Sequence, residues 1–250
     1  MTNYFTAIIL GLVQGFTEFL PVSSSGHLVI AQHIIPGFNA PPVIFDAVLH
    51  MGTLFAILFY FKKQILALKF GYIKLLVVAS IPAFLFGLLV NNYADRLFES
   101  ILLVSIGLII TGLFNLKVSN TKSVGTVITS KIALFIGLFQ AIAIIPGISR
   151  SGSTIFAGVV KGVDKKNAAQ FSFLLSIPAV MGANFLQIMK ASEYVIDLNF
   201  FAVGFIFAFL AGILAINLVI RSLESKIYKY FSFYCLALGF IVLMQTLFWG

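Results

Sequence analysis

Two polar segments lie within apolar stretches of the chain and hold the residue types needed to bind and react with a charged ligand. The first polar segment, residues 14–27, combines an amide, a carboxylate, three serines and an imidazole. The second polar segment, residues 146–154, combines a guanidinium with hydroxyls and glycines. Polar and ionisable groups at membrane depth are costly, so a functional site is the favoured interpretation. The alternative is a Ser- and Gly-rich bend between two helices.

The first segment holds groups for metal binding and for acid/base or nucleophilic chemistry. Gln14 and Glu18 are four residues apart, so on a helix they share one face. Pro21 is expected to end that helix. The bend and the start of the next helix then carry three hydroxyls and an imidazole: Ser23, Ser24, Ser25 and His27. Together they supply a hard-oxygen ligand for Mg²⁺ or Ca²⁺, a hydroxyl nucleophile and an acid or base.

The second segment has the composition of an oxyanion or phosphate cradle. Arg150 supplies a guanidinium, and Gly147 and Gly152 let backbone N–H groups approach a ligand. Hydroxyl side chains surround the arginine: Ser149, Ser151, Ser153 and Thr154. The segment leads into a helix whose positively polarised N-terminus would point at a bound anion.

The composition predicts an all-α, polytopic membrane protein. Hydrophobic residues make up 60% of the 250 residues and charged residues 10%, with a mean hydropathy of +1.09. Soluble domains carry about a quarter charged residues, and a membrane β-barrel needs an alternating pattern that is missing here. The net charge of +8 arises from basic residues scattered over short loops, which favours a role in topology and argues against nucleic acid as a partner. The single Cys235 excludes an internal disulfide.

Eight apolar stretches organise the chain. Six are predicted to span the membrane: about 43–61, 72–90, 101–116, 168–189, 200–220 and 230–250. Two further stretches, about 4–35 and 131–160, are each interrupted by one of the polar segments.

The interrupted stretches match each other at an offset of 126 residues. Residues 11–14 (GLVQ) pair with residues 137–140 (GLFQ), and Gly26 pairs with Gly152. The same offset brings Asp46 onto Ser172 and His50 onto Ser176. The chain is therefore predicted to be a single transmembrane domain built from two repeats, about 1–125 and 126–250. Internal symmetry with interrupted helices is a pointer to a site at the membrane midplane.

The distribution of basic residues predicts that both interrupted stretches are re-entrant hairpins. If each stretch crossed the membrane once, the 15 Lys and Arg residues other than Arg150 would divide eight to seven between the two sides. If each turns back at its polar segment, 13 of these 15 lie on one side, leaving only Arg96 and Lys190 on the other. Cytoplasmic loops carry the excess of basic residues, so the hairpin model is favoured. Each half then crosses three times, so the repeats are inverted, both termini are extracytoplasmic and the hairpin tips can meet.

Several residues keep more than one interpretation at this point. Glu18 is either a metal ligand or the ion-pair partner of Arg150, or both. His27 is either an acid/base or a structural hydrogen-bonding residue. Asp46 and His50 share a helical face, and either support the site or join two helices.

The residues of the two segments resemble a known family. The pattern Gln14-x-x-x-Glu18 followed by PVSSSGH (21–27), and the pattern PGISRSGST (146–154), are similar to the two signature regions of bacterial undecaprenyl-diphosphate phosphatase, also called bacitracin resistance protein. The resemblance covers essentially the whole chain. It implies hydrolysis of undecaprenyl diphosphate to the monophosphate and inorganic phosphate, carrier-lipid recycling for cell-wall synthesis, and bacitracin resistance. It also implies a bacterial plasma membrane location with an extracytoplasmic active site.

The same resemblance implies roles for individual residues. Glu18 and Gln14 would bind a divalent cation, Ser24 and His27 would act in catalysis, and Arg150 would hold the phosphates. The implied substrate-binding residues are Ser23, Ser25, Gly147, Ser149, Ser151, Gly152 and Thr154. This chain departs from the pattern of many members in having Gln14 where they have glutamate, which removes one charge from the metal site.

Two questions about function stay open in the sequence. The attacking group is either Ser24, with His27 accepting its proton, or a water molecule. The alternative to an enzyme is a transporter of the carrier lipid or of an anion, because inverted repeats with interrupted helices are common in secondary transporters. The expected partners are undecaprenyl diphosphate and membrane lipids, and a homo-oligomer is left open.

Overall fold

The computed structural model describes residues 4–34, 42–90, 97, 100–122, 124–190 and 197–249, and these residues form helices and connecting loops without a β-strand. The helices are α1 (Tyr4–Phe19), α2 (Ser24–Ile34), α3 (Pro42–Tyr60), α4 (Lys62–Leu66), α5 (Phe70–Val90), α6 (Ile101–Asn120), α7 (Ser130–Ile142), α8 (Arg150–Val160), α9 (Lys165–Lys190), α10 (Leu198–Ser222) and α11 (Tyr228–Trp249).

The helices have the length and composition of a multi-pass membrane protein. Five are long and apolar enough to cross a bilayer, namely α5, α6, α9, α10 and α11. The sixth predicted span corresponds to α3, whose apolar part, Ile44–Tyr60, is shorter than the five helices just named. Large apolar side chains such as Val77, Phe84 and Leu89 lie exposed on the outside of α5, as expected for a helix surrounded by lipid.

Both interrupted stretches are broken, as the sequence predicts, the first inside its polar segment and the second at residues that overlap only the start of its polar segment. The first break separates α1 from α2 at residues 20–23, and the second separates α7 from α8 at residues 143–149. Each break contains one left-handed backbone conformation, at Ser23 (φ 73°) and at Gly147 (φ 84°). A left-handed serine is unusual because its Cβ crowds the backbone, so the neighbouring structure must hold it in place.

Equivalent helices of the two halves have equivalent packing partners. Helix α1 packs on α10, and its counterpart α7 packs on α5, the counterpart of α10. Helix α10 also packs on α3, just as α5 packs on α9. Two further contacts join counterparts to each other, α3 to α9 and α6 to α11. Contacts between the halves therefore build the core of the described structure.

Small residues allow the broken helices to approach their partners closely. A Cβ atom on Gly15 of α1 would lie only 2.6 Å from the carbonyl oxygen of Ala208 in α10. Gly11 makes a similar approach to Gly204, and its repeat counterpart Gly137 lies directly against Ala79 of α5. Such backbone proximity is the usual way in which membrane helices gain packing energy without a hydrophobic driving force.

An aromatic cluster fixes the end of α1. Phe19 is fully buried and packs edge-to-face on Phe173 of α9, with ring centroids 5.6 Å apart. Phe61 packs against the same Phe173 ring. Because Phe19 follows Glu18 directly, this packing sets the position of the carboxylate described next.

Candidate active site

The carboxylate of Glu18 joins the two polar segments. Its Oε1 atom accepts a hydrogen bond from the Arg150 guanidinium and forms an ion pair with it. Its Oε2 atom accepts from the Ser24 hydroxyl at 2.7 Å and from the Gln14 amide nitrogen at 3.2 Å. The Glu18 side chain is only 6% exposed and that of Arg150 16%. A charge so deeply buried is tolerated only when it is paired and hydrogen-bonded, and here both oxygens are occupied.

Ser24 and Arg150 occupy equivalent positions in the two repeats. They are separated by the same offset of 126 residues, and each is the first residue of its helix, α2 or α8. The preceding residues are equivalent too, because Ser23 accepts from the Gly26 N–H and Ser149 accepts from the Gly152 N–H. The two helix N-termini therefore meet at one carboxylate, which each contacts through its first side chain.

Arg150 is held from a second side by helix α9. Its Nη1 atom donates to the carbonyl oxygen of Ser172 at 3.3 Å, and the Ser172 hydroxyl lies 2.6 Å from that of Thr154. With its guanidinium bonded to both Glu18 and Ser172, Arg150 is oriented before any ligand arrives. Such preorganisation is the basis of electrostatic stabilisation in active sites.

His50 of α3 completes the contacts around Gln14. Its Nδ1 atom lies 2.8 Å from the Gln14 amide nitrogen and 3.5 Å from Glu18 Oε2. The carboxylate can only accept, so the nitrogen of the Gln14 amide faces it, and the same nitrogen donates to His50 Nδ1. That ring atom then carries a lone pair, and His50 is neutral in this arrangement.

The side-chain oxygen of Gln14 is a buried acceptor that could serve as a ligand for a cation. Gln14 is fully buried, and its Oε1 atom is a buried acceptor without a hydrogen-bond partner. Within the described residues no group of three or more His, Cys, Asp or Glu side chains has metal-binding geometry. The Gln14 nitrogen, not its oxygen, faces Glu18, so these two residues would share a cation only after the Gln14 amide turned over, with the remaining ligands coming from bound phosphate or water.

His27 is directed away from Ser24. Its Nδ1 atom lies 2.7 Å from the Ser23 carbonyl oxygen, and its Nε2 atom lies 2.6 Å from the Tyr234 hydroxyl. Both ring nitrogens are thus engaged, and the Ser24 hydroxyl is bonded to Glu18 instead. In this structure Glu18, not His27, is the group placed to accept the Ser24 proton.

Most hydroxyls of the second segment form bonds within the protein. Ser149 caps α8, Ser151 lies 3.2 Å from Ser149 and donates to the Leu20 carbonyl, and Thr154 donates to the Arg150 carbonyl. All three are buried, whereas Ser24 and Ser25 of the first segment are partly exposed. The hydroxyl of Ser25 lies 3.4 Å from that of Ser23.

The glycines of the second segment are required by packing. Gly147 lies against the backbone of Val104 in α6, and a Cβ atom there would overlap that backbone. Gly152 faces the Ser149 side chain and the Asn115 side-chain oxygen, with about 3.3 Å available for a Cβ. These contacts account for both glycines without a ligand.

Helix α6 holds both polar segments in register. Thr111 Oγ1 accepts from the Ser149 N–H at 2.8 Å and donates to the Gly147 carbonyl at 3.0 Å. One turn later, the Asn115 amide donates to the Pro21 carbonyl of the first segment. Thr111 and Asn115 are both buried. One helical face therefore fixes the separation of Glu18 and Arg150.

Comparison with known proteins places this arrangement in a family. A family model described as bacitracin resistance protein BacA matches residues 7–241. This chain belongs to the BacA family. An undecaprenyl-diphosphatase of Carboxydothermus hydrogenoformans is 42% identical, over 97% of this chain and 97% of the relative. Undecaprenyl-diphosphatases of Syntrophotalea carbinolica and Methanococcus vannielii are 39% and 40% identical, covering 95% and 94% of this chain and 97% and 98% of the relatives.

Several residues that contact the two polar segments have no role predicted from the sequence. Of Asp46 and His50, which share a helical face, His50 contacts Gln14 and Glu18, whereas Asp46 accepts from Gln32 at 2.7 Å and joins α3 to α2. The repeat offset held a usable signal, since it maps the Asp46 position onto Ser172, which contacts Arg150. Thr111, Asn115 and Tyr234 lie outside both polar segments, on predicted membrane spans, and no motif in the sequence connects them to the site.

Replacing Thr111 by valine should destabilise this BacA-family protein. The change keeps the shape of the side chain but leaves the buried Gly147 carbonyl and Ser149 N–H unpaired. We expect the free energy of unfolding to fall by about 1–3 kcal/mol. Denaturant unfolding in detergent micelles measures the difference. Thr111→Ser, which keeps the hydroxyl, is the matched control and should lose less; equal stability of Thr111→Val and the unmodified protein would contradict the assignment.

Proposed function

We propose that this protein hydrolyses undecaprenyl diphosphate at the membrane, releasing inorganic phosphate and leaving the monophosphate carrier lipid. Membership of the BacA family and relatives named undecaprenyl-diphosphatase support the substrate and the reaction. In the cell this activity would recycle the carrier for cell-wall synthesis and confer bacitracin resistance. The observation that carries the proposal is the contact of Ser24, Glu18 and Arg150, which unites a hydroxyl, a proton acceptor and a phosphate-binding cation.

The reaction follows from the two bonds on Glu18. The diphosphate engages the guanidinium of Arg150, which then no longer neutralises Glu18. The Ser24 oxygen attacks the terminal phosphorus, its proton passes to Glu18 Oε2, and the bond to the bridging oxygen breaks, releasing undecaprenyl phosphate. Water then attacks the phosphoserine, giving inorganic phosphate and restoring the Ser24 hydroxyl. Arg150 and the α8 N-terminus stabilise charge on the transferred phosphoryl group.

The proposal includes a divalent cation, Mg²⁺ or Ca²⁺, held by Glu18 and Gln14 together with phosphate oxygens. The unpartnered oxygen of Gln14 supports it. When bound, the ion would neutralise part of the diphosphate charge. Because only one carboxylate contributes, binding to the free protein should be weak and should tighten when the substrate is present.

Transport of the carrier lipid is the competing function, and a detergent assay separates the two. Purified protein in micelles has no compartments, so phosphate release from undecaprenyl diphosphate requires catalysis. We expect release by the unmodified protein and a loss of about 10²- to 10³-fold in Arg150→Ala, the order found when a key charge-stabilising donor is removed. Arg221→Ala, which removes an exposed arginine far from the segments, is the matched control. Binding without release by the unmodified protein would favour a carrier.

The same assay tests the cation when a chelator is added and Mg²⁺ or Ca²⁺ is restored. Restored release supports the ion. Full release in the presence of chelator would contradict it without affecting the assignment of Arg150.

Ser24→Ala tests the nucleophile. We expect loss of phosphate release, and acid quenching of the unmodified protein during turnover should trap phosphoserine at Ser24, detected by mass spectrometry. Ser225→Ala removes an exposed hydroxyl outside both polar segments and should retain activity. Near-normal turnover in Ser24→Ala would assign the attack to water.

We further propose that the two halves are inverted repeats, that the interrupted stretches are re-entrant hairpins, and that the termini and the site face the extracytoplasmic side. The basic residues that follow α3, α6, α8 and α10 would then share the cytoplasmic side. The equivalent packing of α1 on α10 and of α7 on α5 supports a repeat. Arg96 lies outside the described residues.

Cysteine labelling distinguishes the hairpin topology from single crossings. Val124 and Leu198 are strongly exposed, and the hairpin model places them on opposite sides of the membrane. The single-crossing model places them on the same side. In right-side-out vesicles, an impermeant maleimide should label Leu198→Cys and not Val124→Cys. The unmodified protein, whose only cysteine is the buried Cys235, provides the blank. Equal labelling at both positions would contradict the hairpins.

A further inference from the structure

Tyr234 of α11 contacts the imidazole of His27 in two ways. Its hydroxyl oxygen lies 2.6 Å from His27 Nε2, and the two rings are stacked with an interplanar angle of 18° and centroids 5.6 Å apart. The residues are 207 positions apart, one in each half of the chain. This contact therefore forms only when the halves come together.

The partners of His27 determine which of its nitrogens carries the proton. A backbone carbonyl can only accept, so Nδ1, at 2.7 Å from the Ser23 oxygen, is the protonated nitrogen. In the neutral ring Nε2 then has only a lone pair, and the Tyr234 hydroxyl must donate to it. The second partner of a histidine commonly fixes its tautomer and orientation in this way.

The contacts of His27 and of α11 act on the backbone that precedes Ser24. Ser23 has a left-handed conformation (φ 73°) and directly precedes Ser24. His27 holds the Ser23 carbonyl, while Cys235, next to Tyr234, contacts the Pro21 carbonyl through its Sγ atom at 3.6 Å. Helix α11 thus holds the first polar segment at two points.

We propose that Tyr234 is a positioning residue that donates to His27 Nε2, holds the imidazole in place against the Ser23 carbonyl and thereby keeps the Ser23–Ser24 bend aligned for reaction at Glu18. The effect on catalysis rests on the proposed function, whereas the hydrogen bond itself does not. Tyr234 also borders a cavity of about 330 Å³, together with His27, Leu20 and Tyr230.

Tyr234→Phe tests the proposal, because it keeps the stacked ring and removes only the hydroxyl. Tyr230→Phe, which removes a hydroxyl from the same cavity wall, is the matched control. The chain has 3 histidines, so nitrogen NMR of histidine-labelled protein at alkaline pH resolves the rings, with the His27 signals assigned by their loss in His27→Asn.

We expect a protonated Nδ1 and a hydrogen-bonded, unprotonated Nε2 in the unmodified protein, and a shift of the Nε2 signal in Tyr234→Phe only. We also expect kcat to fall about three- to ten-fold with little change in KM, which corresponds to the loss of one hydrogen bond. A protonated Nε2, an unmoved signal or an unchanged kcat would each overturn the proposal. If the unmodified protein released no phosphate, the proposed function would fail, and the nitrogen signals would still decide the Tyr234 contact.

Discussion

The ion pair between Glu18 and Arg150 is the interaction on which the rest of the structure depends. A single carboxylate or guanidinium within an apolar core would be strongly destabilising, so neither half of the chain can bury its own charged residue alone. Each becomes tolerable when the other half supplies its partner. The contacts of α6 with both segments, and of α11 with the first, hold the two loops at the separation that the pair requires.

If the two halves are repeats, as proposed, their common backbone frame accounts for one carboxylate lying between a hydroxyl and a guanidinium. In both halves a serine caps a short helix and a glycine donates to that serine, so the backbone frame is the same. The residue after the cap differs, being Ser24 in one half and Arg150 in the other. A change of side chain at one repeated position is therefore enough to turn two similar helix N-termini into complementary parts of a site.

The sequence predicts the helices and the two breaks between them, because both follow from local composition. Hydropathy and the prolines and glycines locate the breaks at residues 20–23 and 143–149. What a hydroxyl or imidazole contacts is decided by long-range packing instead. Ser149 and Thr154 resemble ligand-binding hydroxyls in the sequence but satisfy backbone groups and Ser172. His27 resembles a base for Ser24, yet its partner is Tyr234, which no spacing in the chain indicates.

The net charge of the site differs between the free protein and the protein with a bound diphosphate, and the proposed cation would be needed only in the second state. Without substrate, Glu18 and Arg150 neutralise each other, and the neutral Gln14 and His50 add no charge, so the site is compatible with its apolar surroundings. A diphosphate brings more negative charge than one guanidinium can neutralise, and it competes with Glu18 for that guanidinium. If a divalent cation neutralises this excess, as proposed, the unpartnered oxygen of Gln14 is a buried acceptor that would help to hold it. A glutamate in place of Gln14 would bind a cation more tightly but would leave an uncompensated buried charge in the empty site.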